Sequence, residues 1–375
     1  MKQNLYLNKI FVAFILMVII KVNVQAQYLA PYTDIMDQVY IFDDGNTRLL
    51  EPLPLKEYKV GKHAMLYSSP QTRLKAYYQG EKYNLMDITP VYFTTDNWVG
   101  YYNYGNLAVL YDNKFISLDR LAKSDFWVSD SLIVWVSNLG DTRAFYKGET
   151  YTLEQWAVRM EGNEDNATNI GKISDNMFAY IDQSGNTKVF YQGVQKIIEG
   201  YAAERFFVDR DMLVYKDVVG NFKFFSDGQI YETNIPYTQR YYQGEGFVVY
   251  FDQQNRLNVW YKGDTYMLSQ SAPKELLVKE NIIAFTDPGN NFYAWYKGKL
   301  QMMERSVQPL SMQADNDLLV YQDQYGRLKG LYYGNSINIS TNIVKDYKLY
   351  NEVVTYSLVR GQTTIWCKGK TYTYQ

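Results

Sequence analysis

Histidine and cysteine are almost absent: His63 and Cys367 are single representatives in 375 residues. One imidazole and one thiol leave almost no material for a zinc, haem or iron–sulfur site, for a disulfide, or for a mechanism that needs a histidine base. This argues against most hydrolase chemistries. No Gly-x-Ser-x-Gly elbow, phosphate loop, dinucleotide fingerprint or Asp-x-Asp-x-Asp-Gly calcium loop occurs. No metal and no cofactor are expected. The formal charge is −2, with acids and bases nearly cancelling, so there is no electrostatic case for a nucleic-acid partner.

Long apolar runs are also missing. The run at 10–20, IFVAFILMVII, has 11 residues, too few to span a bilayer core of about 30 Å as a helix. Lys2 and Lys9 precede it, and Val24-Gln25-Ala26 places small residues three and one before a cut after Ala26. Residues 1–26 thus read as a secretory signal peptide, leaving 27–375 as the mature domain. No cysteine lies near the cut, which excludes lipid attachment there. The expectation is an exported chain of a bacterial envelope, periplasmic or extracellular, with no transmembrane anchor after cleavage.

What is abundant is tyrosine, 38 residues, set in a repeat. The clearest copy is 255–269, NRLNVWYKGDTYMLS, two alternating runs joined by Lys262-Gly263, the pattern of a tight hairpin. With that glycine as a ruler the turn recurs at Gly45, Gly80, Asn113, Gly148 and Gly193, and again at Gly228, Gly263, Gly298, Gly334 and Gly369. Successive spacings are 35, 33, 35, 45, 35, 35, 35, 36 and 35 residues. A fixed period of this size signals a repeat architecture. Three residues before the ruler lies a large apolar side chain, such as Phe42, Phe145, Trp260 or Trp366. Thirteen before it an aromatic recurs, as in Tyr67, Trp135, Tyr180 and Phe285, and two residues beyond that an aspartate often opens a turn.

Each unit therefore reads as four short strands, A to D, with tight A–B, B–C and C–D turns and a longer D–A link. Runs such as 247–251, FVVYF, are apolar without alternation, as strands covered on both faces should be. Many four-stranded antiparallel units in series define a β-propeller, whose blades cover one another's faces. The tyrosines are expected as inter-blade packing with their hydroxyls at polar partners. The pattern x-A-Y-x-D-x-x-G-N-x-x-V-W-Y-K-G, at 178–193 and 283–298 with variations, resembles the short-blade repeats of the WD40-like and TolB-like propeller superfamily. That resemblance implies architecture only and brings no catalytic residue. The expected fold is all-β, a propeller of ten four-stranded blades of 35 residues, the first lacking its innermost strand. Two smaller rings parting near 155–169, where the 45-residue spacing falls, remain the alternative.

Parity puts B–C turns and D–A links on one face, here the top, and A–B and C–D turns below. The longer loops sit on top, where scaffolded binding is expected. The insertion within 155–169 carries Trp156 and Arg159 beside Glu161, Glu164 and Asp165. It is either a linking excursion, the reading we expect, or a contact loop whose carboxylates hold a cation. Asp182, Asp217, Asp252, Asp287 and Asp323, with Asp34, open B–C turns on the same face. They could form a ring of carboxylates, but Gly or Asn three residues on favours capping of their own turns. His63 reads as a solvated turn residue and Cys367 as a buried stand-in for tyrosine. The functional expectation is an exported, non-catalytic scaffold binding an envelope protein, a peptide or a polysaccharide. The alternative is a lectin or glycosidase using top-face aromatics and carboxylates, for which exposure of Trp98, Trp127 and Trp156 would count.

Overall fold

The computed structural model describes residues 28–68, 74–85, 91–160, 170–358 and 362–374; the expected signal peptide lies outside them. Ten sheets follow one another along the chain, each built on antiparallel strands in the order A-B-C-D; the first contains only three strands, and the fifth gains a short parallel strand beside A. That blade has B (Leu29–Thr33), C (Val39–Asp43) and D (Asn46–Glu51) and no A strand among the described residues. No helix in the described residues is long and apolar enough to cross a membrane.

The C–D turn explains the ruler. Tyr261 pairs with Asp264, so two residues close the hairpin, and both have positive φ, 52° at Lys262 and 94° at Gly263. This primed turn matches the strand twist and favours glycine at its second position. Asn113 substitutes at φ 61°, a conformation asparagine tolerates.

Burial grades outward. Strand B is covered on both faces, as in Phe247–Phe251 and Ile282–Thr286, whereas D, as in Asp264–Ser269, is exposed until its end. At the lower edge one contact repeats between blades: the first residue of B packs on the bulky C-strand residue of the next blade. Phe247 meets Trp295 with ring centroids 4.9 Å apart, and Trp98 meets Phe145 at 5.6 Å. The pair between blades 2 and 3, Ala64 and Leu110, is the smallest of the ring.

A polar staple accompanies this packing. Glu154, at the end of strand D in blade 4, accepts from Tyr180 Oη at 2.7 Å and from Lys188 Nζ at 2.8 Å, both in blade 5. Glu199 takes Tyr215 at 2.5 Å and Lys223 at 2.6 Å in the same way, and Glu304 takes Tyr321 at 3.1 Å and Lys329 at 2.6 Å. Tyr180, Tyr215 and Tyr321 are thus packing residues whose hydroxyls are satisfied by the preceding blade.

One ring forms, and the alternative of two is overturned. Leu132 and Val134 of blade 4 share a core with Phe178 and Phe190 of blade 5, across the long link. Ala30 and Phe42 of blade 1 share one with Val353 and Ile365 of blade 10, so the ends meet face to face. Lys368 and Asp44 add an ion pair at 3.0 Å across that junction. The gap left at the inner side of blade 1 is braced by Tyr58 and Tyr350, whose hydroxyls lie 3.0 Å apart. Asp44 N donates to Tyr28 O, so alternate residues of strand B face strand C, and Pro31 falls on the unpaired inner edge. A proline offers no N–H there, which blunts an open edge.

Candidate functional site

On the top face the turn aspartates are engaged locally. Asp182 Oδ1 accepts from Ser184 N at 2.8 Å and Asn186 N at 2.9 Å. Asp34, Asp217, Asp252 and Asp323 repeat the pattern at positions two and four residues on, and Asp287 accepts from Asn291. Arg256 and Arg327 pair with Asp252 and Asp323, each at 2.7 Å. Burial opposes ionisation of Asp182, but the Asn186 and Lys188 bonds outweigh it and hold the carboxyl at about 2. No three acids gather to hold a metal among the described residues. These carboxylates stabilise B–C turns and are not poised as a catalytic pair.

In the insertion, Trp156 is half-buried and its carbonyl accepts from Thr142 Oγ1 at 2.7 Å. Arg159 is exposed and begins a two-residue strand, Arg159–Met160, parallel to strand A of blade 5 and added to its inner edge. Glu161, Glu164 and Asp165 lie outside the described residues. Trp98 is buried, and Trp127 is half-buried and stacks on Phe178 at 6.5 Å. No exposed tryptophan platform forms from these three.

The top face does carry apolar tips. Among the described residues ten large apolar side chains are more than 60% exposed, and nine stand on B–C turns or D–A links, including Met36, Tyr104, Leu139 and the Val218-Val219 pair. The tenth, Ile197, is on an outer strand D. In blades 5 and 7 the same turn positions hold Gln183-Ser184 and Gln253-Gln254, so the turn itself does not require an apolar tip.

The lower face holds what sequence reasoning missed. A–B turns converge there, and their carboxylates accept backbone N–H groups from the adjacent turn: Asp96 from Lys62 at 3.1 Å, Asp130 from Asp96 at 2.8 Å, Asp211 from Asn176 at 2.6 Å. Glu280 accepts from Asn316 and, at 3.3 Å, pairs with Arg210. Burial, then Asp130, pushes Asp96 up to about 6. Asp175 is raised by burial, then by Asp130 and Asp211, and Glu280 by burial, then by Asp315. An acid at each A–B turn from the third copy on carries the same period as the glycine ruler and would have revealed this ring.

Outside it lies a cavity of about 670 Å³ between blades 1, 2 and 3, the largest described. Its outer wall is built by C–D turns, with Asp43, Asp44 and Arg48 from blade 1 and Gln79 from blade 2; His63, Asn97 and Trp98 form the inner wall. His63 is therefore half-buried in a cavity wall and not simply solvated. Burial, then Lys62, lowers its pKa, so the imidazole is neutral at pH 7. Cys367 is buried as expected, and burial pushes its thiol up to about 12, which excludes a resting thiolate.

Ten blades in one ring around these two faces define the class, a ten-bladed β-propeller. Residues 23–372 match the family described as 10-bladed beta propeller domain, and the chain belongs to it. No curated protein matches. Solved structures similar to it include BamB from Moraxella catarrhalis, at 11% identity and TM-score 0.32, covering 92% of this chain and 99% of that one. Another is PorZ, a bacterial surface component of the type-IX secretion system of Porphyromonas gingivalis, at 9% identity and TM-score 0.28, covering 93% and 59%. The computationally designed Ika8 protein is similar at 16% identity and TM-score 0.29, covering 66% and 85%. Likenesses at this level support no statement about ligand or partner.

Proposed function

We propose that this chain is an exported, non-catalytic propeller that binds an envelope protein, peptide or polysaccharide through its top face. The carrying observation is the one-sided distribution of exposed apolar tips, nine of ten on top-face loops. Export rests on the signal-peptide reading of residues 1–26. Among the described residues the top-face B–C turn carboxylates are committed to their own turns, which supports binding over glycoside hydrolysis on that face.

The test is site-specific photo-crosslinking in intact cells. A benzophenone side chain at Val218 should yield a discrete adduct, while the same group at Lys262, on a lower-face turn, should not. Equal adducts from both positions, or none from Val218, would count against the reading, as would turnover of glycosides or peptide esters by the purified chain.

A further inference from the structure

We propose that the lower-face cavity between blades 1, 2 and 3 is a binding site for a carboxylated sugar, with Arg48 as its carboxylate anchor. The site lies on the face opposite the apolar tips and stands independently of them.

The cavity has a structural setting. Every blade junction is filled at its lower edge by a B-strand residue and the next blade's bulky C-strand residue, and Ala64 with Leu110 is the smallest such pair. The residues around that pair line the cavity: His63 precedes Ala64, Tyr78 is its ladder partner and Tyr111 follows Leu110. The cavity thus lies beside the most thinly filled junction, although Ala64 and Leu110 are themselves fully buried and do not line it, and its volume falls within the 300–1,000 Å³ range typical of ligand pockets.

The chemistry of the wall selects the ligand. Its acids are already engaged: Asp43 accepts from Tyr77 Oη at 2.6 Å, and Asp44 is paired with Lys368 at 3.0 Å. Its donors are not. Arg48 gives Nη1 to Gly80 O at 2.6 Å, which fixes the guanidinium at the mouth, and it has no carboxylate partner among the described residues. The remaining N–H groups of that fork suit a carboxylate, which a guanidinium can bind in bidentate fashion. The indole Nε1–H of Trp98, a residue 4% exposed, is buried without an acceptor, a donor that a ligand oxygen would satisfy. His63 makes no side-chain bond in the described residues and adds a neutral donor and acceptor.

A sugar fits this lining. Asn46, Gln79 and Asn97 bring amide groups from three blades; Gln79 Nε2 donates to Tyr78 Oη at 3.2 Å and Asn97 Nδ2 to Asp130 O at 2.8 Å, which leaves their amide oxygens to accept from sugar hydroxyls, and Tyr111 is half-exposed against Trp98, stacked at 5.8 Å.

Calorimetric titration of the full mature chain with D-galacturonate, D-galactose and a glutamate dipeptide tests this. Saturable binding of galacturonate is expected, weakened at least about tenfold by Arg48→Gln and by Asn46→Trp, which puts bulk on an exposed position of the cavity wall without changing any charge. Thermal melts of both variants establish that they fold. The top-face variant Val218→Ser should bind as the parent does, which separates this site from the proposed partner face. Equal binding of galactose, preference for the dipeptide, indifference to Arg48→Gln, or no saturation up to about 10 mM would each overturn the proposal.

Discussion

The inter-blade staple at Glu154 makes a quantitative prediction. Tyr180 is fully buried and its hydroxyl donates to Glu154 Oε1 at 2.7 Å. Burial, then Glu154, pushes the phenol pKa far above its ordinary value, so it remains a donor wherever the chain is folded. Tyr180→Phe keeps the ring and removes the bond to a charged acceptor together with the one that Gln195 Nε2 donates to the hydroxyl, a loss of about 1.5–3 kcal/mol from the charged bond alone. Glu154 retains Lys188 at 2.8 Å and Gln195 at 3.2 Å, so no bare charge is left. Glu154→Ala strands the Tyr180 hydroxyl and half of Lys188's partners. Breaking a buried pair costs about 3–5 kcal/mol, and the lower end is expected because Lys188 keeps Asp182 at 3.0 Å. Since the two substitutions share one bond, the double variant should cost less than their sum. Equilibrium urea unfolding followed by tryptophan emission measures all three. A Tyr180→Phe loss below about 0.5 kcal/mol, the level of an ordinary surface change, would refute the staple.

Three further outcomes follow from the same geometry. Asp96, raised to about 6, and Asp175 and Glu280, also raised, bind protons in the folded chain that the unfolded chain has released. Their contribution is complete below about pH 4 and is lost as pH rises through about 6, so Tm should fall from about pH 5 to about pH 8, and Asp175→Asn should flatten that slope; a Tm that rises over this window contradicts the ring. Trp295→Ala removes a ring 1% exposed, held at 4.9 Å from Phe247 and 5.3 Å from Tyr261, and should cost about 3–5 kcal/mol by denaturant titration. Pro31→Val restores an N–H to the open inner edge of blade 1 and should promote association, read by size-exclusion chromatography at rising concentration; an unchanged elution profile argues that the Tyr58–Tyr350 brace already shields that edge.

The ring itself was legible because its signals are local: Gly263, Trp260 and Tyr250 each report a turn or a face within one copy. The staple was written in the sequence too, but across copies. An acid six residues after the ruler, as at Glu51, Asp119, Glu154, Glu199 and Glu304, accompanies Lys or Arg five before the next ruler, at Lys75, Arg143, Lys188, Lys223 and Lys329. Where the acid gives way to Asn234, Ser269 or Ser340, the basic position becomes Asn258, Tyr293 or Thr364. The lower cavity was not legible, since Asp44, Gln79 and Tyr111 occupy ordinary repeat positions. Only knowledge of which turn of one blade faces which of the next shows that Arg48, His63 and Asn97 share one cavity.

The fate of the carboxylates explains why acid-centred motif reading is a poor guide in this chain. A propeller needs polar groups where backbone ends meet, and carboxylates serve three such places: B–C turns as at Asp252, inter-blade staples as at Glu154, and the A–B ring as at Asp130. Each site satisfies buried N–H or O–H donors that would otherwise cost stability. Acids therefore recur with the repeat and are bonded within the protein. Donors such as the Arg48 fork and His63 depart from the residues usual at their repeat positions and, with the indole of the junction residue Trp98, lack such partners. In a fold whose regular positions are occupied by architecture, an irregular residue with unused bonding capacity is the stronger pointer to a ligand, and here several of them share one cavity.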